Sequence, residues 1–455
     1  MNRGRSTVLL LLVAAGLGAY IYFVEMKREP SDTEVPADRV FTNLDAGTIS
    51  ALTLRAANGD ETTLERDGAG WRMTAPVEAK ADATEVSGVT SNLSSLDLSR
   101  IIDEAPGDLS VFGLEAPGIV VGFTNETGTE RLMVGGRTAT GGDLYAKLDS
   151  SPRVFLIPSW LETSLDRTTF QLRDKAIVSF DQSRVDTLSI IGTPGTIELV
   201  KQDGQWTLRQ PISARADAGA VDTLLSRLSS GQMQAIVADA PATLDTYGLA
   251  PPRTTVTAAA GSEVLAQVLV GSESGETAVH MKDEARPVVF TVDTALAADL
   301  ERAVGAYRTS TLFTTAPPSA RQITVVRGDD TRVFSHAPAT PASGGGGDGA
   351  GAGDGAAAST WADTNAASPV APDRIAEFAS RLQTLRAESW EARAPSGAVD
   401  VATVTVASSG DVTEVVRLVK SGEAIFALRT DEPGAARLAV SSVDELFRVL
   451  DGTED

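Results

Sequence analysis

Residues 71–82, WRMTAPVEAKAD, return 135 positions later as residues 206–217, WTLRQPISARAD. Trp71, Pro76 and Asp82 thereby match Trp206, Pro211 and Asp217. The same spacing carries outward through Gly113 and Gly248, Pro117 and Pro252, Lys147 and Lys282, Phe155 and Phe290, and Leu161 and Leu296. A period of that length exceeds the about 20 to 50 residues of solenoid and propeller repeats, so it marks duplicated, domain-sized units. What the copies share is mostly apolar, Gly and Pro, which describes a fold and contributes no reactive group.

A third copy carries an insert. Ile190 and Leu199 match Val325 and Phe334 at 135 positions, whereas Trp206 matches Trp361 at 155. The extra residues lie between Pro338 and Ser359, a run dominated by Gly344 to Gly349 and further Gly, Ala and Asp. Such a tract has little apolar surface to bury against its backbone entropy, and it reads as a surface loop. Beyond it Val221, Arg227, Leu228 and Pro241 match Ile375, Arg381, Leu382 and Pro395 at 154 positions. The divisions are an N-terminal anchor over 1–28, a stalk over 29–46, and repeats over 47–180, 181–318 and 319–455, the last with its Gly/Ala-rich loop at about 338–360.

Within each repeat, alternating apolar residues predict strands: Ile49, Leu52, Leu54 and Leu64 in the first, Leu188, Ile190, Ile197 and Leu199 in the second, and Ile323, Val325, Val333 and Phe334 in the third. Asn58-Gly59, Pro194-Gly195 and Gly328-Asp329 are hairpin-turn sequences between them. After the tryptophan strand, Asp82, Asp217 and Asp373 are suited to cap a helix. Val86, Val89, Leu93 and Leu96 then recur at helical spacing, as do Val221, Leu224, Leu225 and Leu228, and Ile375, Phe378, Leu382 and Leu385. Further strands and a short helix from Ser159 to Leu165 close the first repeat. The expected class is α+β: three tandem repeats of mainly antiparallel sheet, each with one long and one short helix, preceded by one transmembrane helix.

That span is expected at residues 6–24, uncharged and apolar behind Arg3 and Arg5. As a helix it reaches roughly 28 Å, near the thickness of a bilayer core. The basic start favours a cytoplasmic N-terminus, with the bulk of the chain periplasmic or otherwise extracytoplasmic from the inner membrane. A cleaved signal peptide shares the basic start and apolar middle and is the competing reading. Pro30 and Pro36 interrupt any helix in the stalk.

Charge and composition narrow the partners. Lys plus Arg number 39 against 61 Asp plus Glu, and the net charge of −22 repels phosphate backbones, which argues against nucleic acid. The chain has no cysteine, which excludes disulfides and thiolate chemistry.

The motifs carry a resemblance. A basic N-terminus, one apolar span, and repeats bearing Trp-x(4)-Pro, Ala-Asp, an aromatic-Gly-Leu turn (Phe112-Gly113-Leu114, Tyr247-Gly248-Leu249) and a Val-Gly strand end resemble a bacterial family of unknown function. The resemblance spans most of residues 1–320, and the third repeat lacks the aromatic-Gly-Leu turn. It implies single-pass extracytoplasmic proteins encoded beside ABC transporters of the gliding type, hence protein partners in a transporter complex. It implies no catalytic residue.

The search for chemistry yields weak candidates. His280 and His336 are the only histidines and lie on strands of different repeats. The metalloprotease, hydrolase-elbow and P-loop motifs are missing, and no cofactor or metal is expected. Gly344–Gly349 satisfies a dinucleotide pattern only formally, and Asp348 and Asp354 are too few for repeated calcium binding. The pairs Asp103-Glu104, Asp283-Glu284, Asp329-Asp330 and Asp431-Glu432 fall in turns, where solvated charge is the default. Trp71, Trp206 and Trp361 read as core anchors before they read as a glycan platform. Lys147 and Lys282, with Leu428 at the third equivalent place, read as solvent-side strand residues. The function expected is a non-enzymatic, membrane-anchored accessory or scaffold. Alternatives are an envelope enzyme or glycan-binding protein working at an interdomain cleft, and a solute-binding component.

Overall fold

Each repeat contributes one antiparallel sheet. The computed structural model describes residues 39–193, 195–315, 319–337, 360–364, 369–408 and 412–452. The expected anchor at 6–24, most of the stalk, Pro194 and the Gly-rich loop with Gly344–Gly349, Asp348 and Asp354 lie outside the described residues.

The first sheet has nine strands, in spatial order Ala79–Lys80, Gly70–Ala75, Glu61–Asp67, Ala51–Arg55, Ile119–Asn125, Gly128–Arg137, Asp143–Leu148, Val154–Pro158 and Arg100–Asp103. Two meanders meet where Leu52 pairs with Phe123 and Leu54 with Val121. The helix Ala83–Ser94 leaves one edge strand and leads to the strand at the opposite edge. It buries Val86, Val89, Thr90 and Leu93 in a core shared with Leu64, Met73 and Leu132. Asp82 caps it, accepting from the amides of Thr84 and Glu85.

The second sheet repeats this order with nine strands. Leu188 pairs with Ala258 and Ile190 with Val256 at its centre, and Asp217 caps the helix Ala218–Ser230. The third sheet has eight strands, joined at Ile323 to Val406 and Val325 to Val404. Here the expected cap is displaced: Ala371 is the N-cap, Pro372 follows, and Asp373 sits in the first turn, where its charge still suits the positive end of the helix dipole.

The expected helix set of the α+β class is corrected. Among the described residues, one long and one short helix occur together only in the second repeat, as Ala218–Ser230 and Thr294–Leu300. The first has one long helix and two short ones, Leu161–Leu165 and Thr169–Leu172, and the third has two long ones, Pro372–Thr384 and Val440–Asp451. The last helix runs on because no Gly or Pro interrupts it and Val443, Leu446, Phe447 and Leu450 are all buried at helical spacing. No helix among the described residues is long and apolar enough to cross a membrane, and residues 6–24, where the transmembrane helix is expected, lie outside them.

The aromatic-Gly-Leu motif has a steric cause. Gly113 and Gly248 adopt φ of 68° and 65°, and each turn presses on the Val-Gly strand end. A Cβ on Gly135 would lie 2.3 Å from the Phe112 carbonyl, and one on Gly271 2.2 Å from that of Tyr247. The aromatic rings pack edge-on, Phe112 against Tyr145 at 5.0 Å and Tyr247 against His280 at 5.3 Å.

Two compact units divide the chain between Lys175 and Ala176. The first contains one sheet and the second contains two.

Candidate functional site

The strongest concentration of buried charge is in the second unit, around the segment 308–315 that leads from the second sheet into the third. Arg308 bridges to Ala216 and Thr311 to Arg386, so the segment pairs in turn with elements of both repeats. Arg308 is 4% exposed and stacks its guanidinium 3.4 Å above the Trp390 ring. It donates to Glu432 at 3.1 Å and to the Pro433 carbonyl at 2.7 Å. Arg215 also pairs with Glu432 and donates to the Thr311 carbonyl at 3.0 Å. Arg429 grips the Leu312 carbonyl, holds Asp431 at 2.6 Å and reaches Glu414 at 3.2 Å. Glu414 in turn accepts from the amides of Thr314 and Thr315 at 3.1 and 2.9 Å.

Three arginines thus meet three carboxylates: Glu414 and Glu432 are buried with Arg308 and Arg429, as paired buried charges must be, while Asp431 is exposed. Burial lowers the Arg308 pKa, which Glu432 opposes. Burial acts the same way on Arg429, but Asp431 and Glu414 more than offset it, and the pKa rises. Burial disfavours the Glu414 carboxylate, yet the Thr315 and Thr314 amides hold its pKa down.

The second repeat has a simpler version of the same clamp. Arg286 pairs with Asp283 at 2.8 Å and donates to the Ala176 carbonyl at 2.8 Å and to that of Ile177. Counting forward from Lys282 and Leu428, Asp283 corresponds to Arg429 and Arg286 to Glu432. The charges are exchanged and the function is kept: an arginine holds the carbonyls of the entering strap.

In the first repeat the equivalent strap begins at Arg39, which bridges to Asp97 as Ala176 bridges to Gln232. The Val40 amide donates to Leu96 at 2.9 Å, as that of Ile177 does to Gly231 at 3.0 Å. Leu148 and Ser151 stand where the second repeat has Asp283 and Arg286. An open cleft of about 580 Å³ lies there, lined by Arg39, Val40, Leu98, Ile101, Ser151 and Phe155 among others.

The residues singled out from sequence fall in several places. The three tryptophans are buried, at 8%, 4% and 4% exposure. Each is faced across the strand pair by a basic or imidazole side chain. Arg66 lies 4.9 Å from the Trp71 ring and Lys201 5.8 Å from Trp206, while His336 stacks on Trp361 at 4.6 Å. His280 sits against Ser272 and Tyr247 on the second sheet. Of the two lysines read as solvent-side, Lys282 is buried instead. Lys147 is half-buried and bonds the Leu148 carbonyl at 2.8 Å; Lys282 is buried and bonds that of Asp283 at 3.1 Å. Leu428, at their equivalent place, packs beside Val419, Phe426 and Ala435.

The acidic pairs divide. Asp103, Glu104, Asp329 and Asp330 are exposed, with Glu104 bound to Arg153 at 2.9 Å. Asp283 and Glu432 are buried, contrary to the solvated reading, because each has an arginine partner. No group of three or more His, Cys, Asp or Glu that could hold a metal occurs among the described residues. Arg215, Arg308, Glu414 and Arg429 escaped sequence reasoning, since they lie far apart in the chain. The exchanged charges at the aligned positions 283/429 and 286/432 were the available signal.

The fold defines a protein built from three duplicated antiparallel-sheet modules, the second and third of which fasten their entry straps with an arginine. The model of the domain of unknown function DUF4340 matches residues 71–215 and again residues 206–408, and the chain belongs to that family. Both matches begin at an equivalent tryptophan, Trp71 and Trp206, consistent with the repeat phase. No curated protein and no solved structure matches the chain.

Proposed function

We propose that the protein is a non-enzymatic accessory or scaffold protein of a membrane transport assembly of the gliding-type ABC class. In this reading residues 6–24 attach it to the inner membrane and the repeats lie on the extracytoplasmic side. The observation that supports it is the use made of buried charge. Arg215, Arg308, Arg429, Glu414 and Glu432 converge on backbone and on one another, which rigidifies a module and leaves its outer surface for contact. The resemblance of the repeats to proteins encoded beside such transporters adds the class of partner.

The test is purification of the full-length protein from native membranes in mild detergent, with identification of what accompanies it. Transporter subunits that co-purify, and are lost when one repeat is deleted, are the expected result. A protein recovered alone under conditions that keep other membrane complexes intact overturns the reading.

A further inference from the structure

We infer that the cleft beside Arg39 and Val40 in the first repeat is a docking site for an arginine side chain presented by a protein partner. The inference rests on the accessory reading only for the partner being a protein; the chemistry comes from comparing the repeats. In the second repeat the corresponding position holds the guanidinium of Arg286, bonded to the carbonyls of Ala176 and Ile177 and 5.9 Å from the Phe290 ring. In the third, Arg429 bonds the corresponding Leu312 carbonyl. The first repeat keeps the parts of this cradle. Its strap follows the same hydrogen-bonded path at Arg39 and Val40, and Phe155 stands at the place of Phe290. Ser151 replaces the arginine and Leu148 its counter-ion, and the space is open.

Arginine suits such a position because its planar fork satisfies two carbonyls at once while its face rests on a ring. The aliphatic stem has Leu98 and the 37%-exposed Ile101 to lie against. Two cationic groups line the cleft. Arg153 is engaged with Glu104 at 2.9 Å, and the Arg39 residue is exposed. The net charge of −22 favours a basic partner over an acidic one. An arginine anchored in a pocket is also a common source of affinity at protein interfaces.

The experiment is a chemical-shift titration of the methyl-labelled full chain with acetyl-arginine amide, read at Leu98 and Ile101. Acetyl-citrulline amide, similar in shape and uncharged, is the control. Saturable shifts with arginine and none with citrulline are expected. Ser151→Arg, which supplies the side chain internally as in the second repeat, should abolish them. Leu148→Asp, which restores the counter-ion seen at Asp283, should tighten binding about tenfold. Shifts that are absent, that citrulline reproduces, or that survive Ser151→Arg with Leu148→Asp unchanged overturn the proposal. Transporter subunits retained by Ser151→Arg would overturn this site and leave the accessory reading intact. Arginine binding without co-purifying subunits would do the reverse.

Discussion

Arg286 and Arg429 hold the same stretch of entering backbone in successive repeats, although Arg286 follows its acidic partner in the chain and Arg429 precedes its own. The ion pair has been turned around while the carbonyls it serves have not moved. Such an exchange shows that geometry was retained and that the order of charges along the strand was free to change.

Removing one member of that network should be costly. Glu432→Gln leaves Arg215 and the 4%-exposed Arg308 without their shared carboxylate, and an uncompensated buried charge costs about 3–5 kcal/mol. Asp400→Asn, which breaks only the exposed pair with Arg417, should cost about 0–1 kcal/mol. Denaturant titration of the full chain, following the transition of the second unit, separates the two. Equal midpoints would refute the structural weight given to Glu432.

Acid should weaken the protein through identifiable carboxylates. The Arg429 hydrogen bond holds the Asp431 pKa down. Burial opposes the charged forms of Glu414 and Asp82, but the Thr315 and Thr314 amides and Lys175 respectively outweigh it. Depressed folded values contribute stability that is present above the ordinary carboxylate range, about pH 4, and is lost as pH falls through the lower folded values. Glu414→Gln should flatten the loss of stability below that range in thermal unfolding scans. At the alkaline end burial pushes Tyr307 up to about 12, so its contribution is complete below about pH 10 and disappears above the folded value. Tyr307→Phe should remove that alkaline decline.

Two glycines should respond in opposite directions. Gly271→Ala drives a methyl against the Tyr247 carbonyl and should destabilise the second repeat by about 2 kcal/mol or more. Gly88 sits within the helix Ala83–Ser94 with nothing near its would-be Cβ, so Gly88→Ala should stabilise by about 0.5–1 kcal/mol. Paired melting curves decide both signs.

Truncating a tryptophan should disrupt its own core. Trp361 is 4% exposed and stacked on His336, and Trp361→Ala should cost about 3–5 kcal/mol. Hydrogen exchange should show the loss of protection centred on the third sheet, where Phe334, Phe378 and Phe447 share its core. Loss spread evenly over the chain would contradict the assignment of one core to that repeat.

Periodicity along the chain determined the number of repeats, the strand carrying each tryptophan and the capped helices at Asp82 and Asp217. Those features depend on neighbours a few residues apart, and local spacing encodes them directly. The short edge strands Ala79–Lys80 and Arg100–Asp103 went unread because they are too brief to alternate. The length of the last helix was also missed, since Val440–Asp451 departs from the short helices of the other repeats. Only tertiary structure joined Leu52 to Phe123, because that pairing links two meanders across a long insertion in the chain. It alone brought Arg215, Arg308, Glu414, Arg429 and Glu432 to one place. A charge distant in sequence becomes a partner only when folding excludes the water that would otherwise solvate it, and no local pattern records which charges will meet.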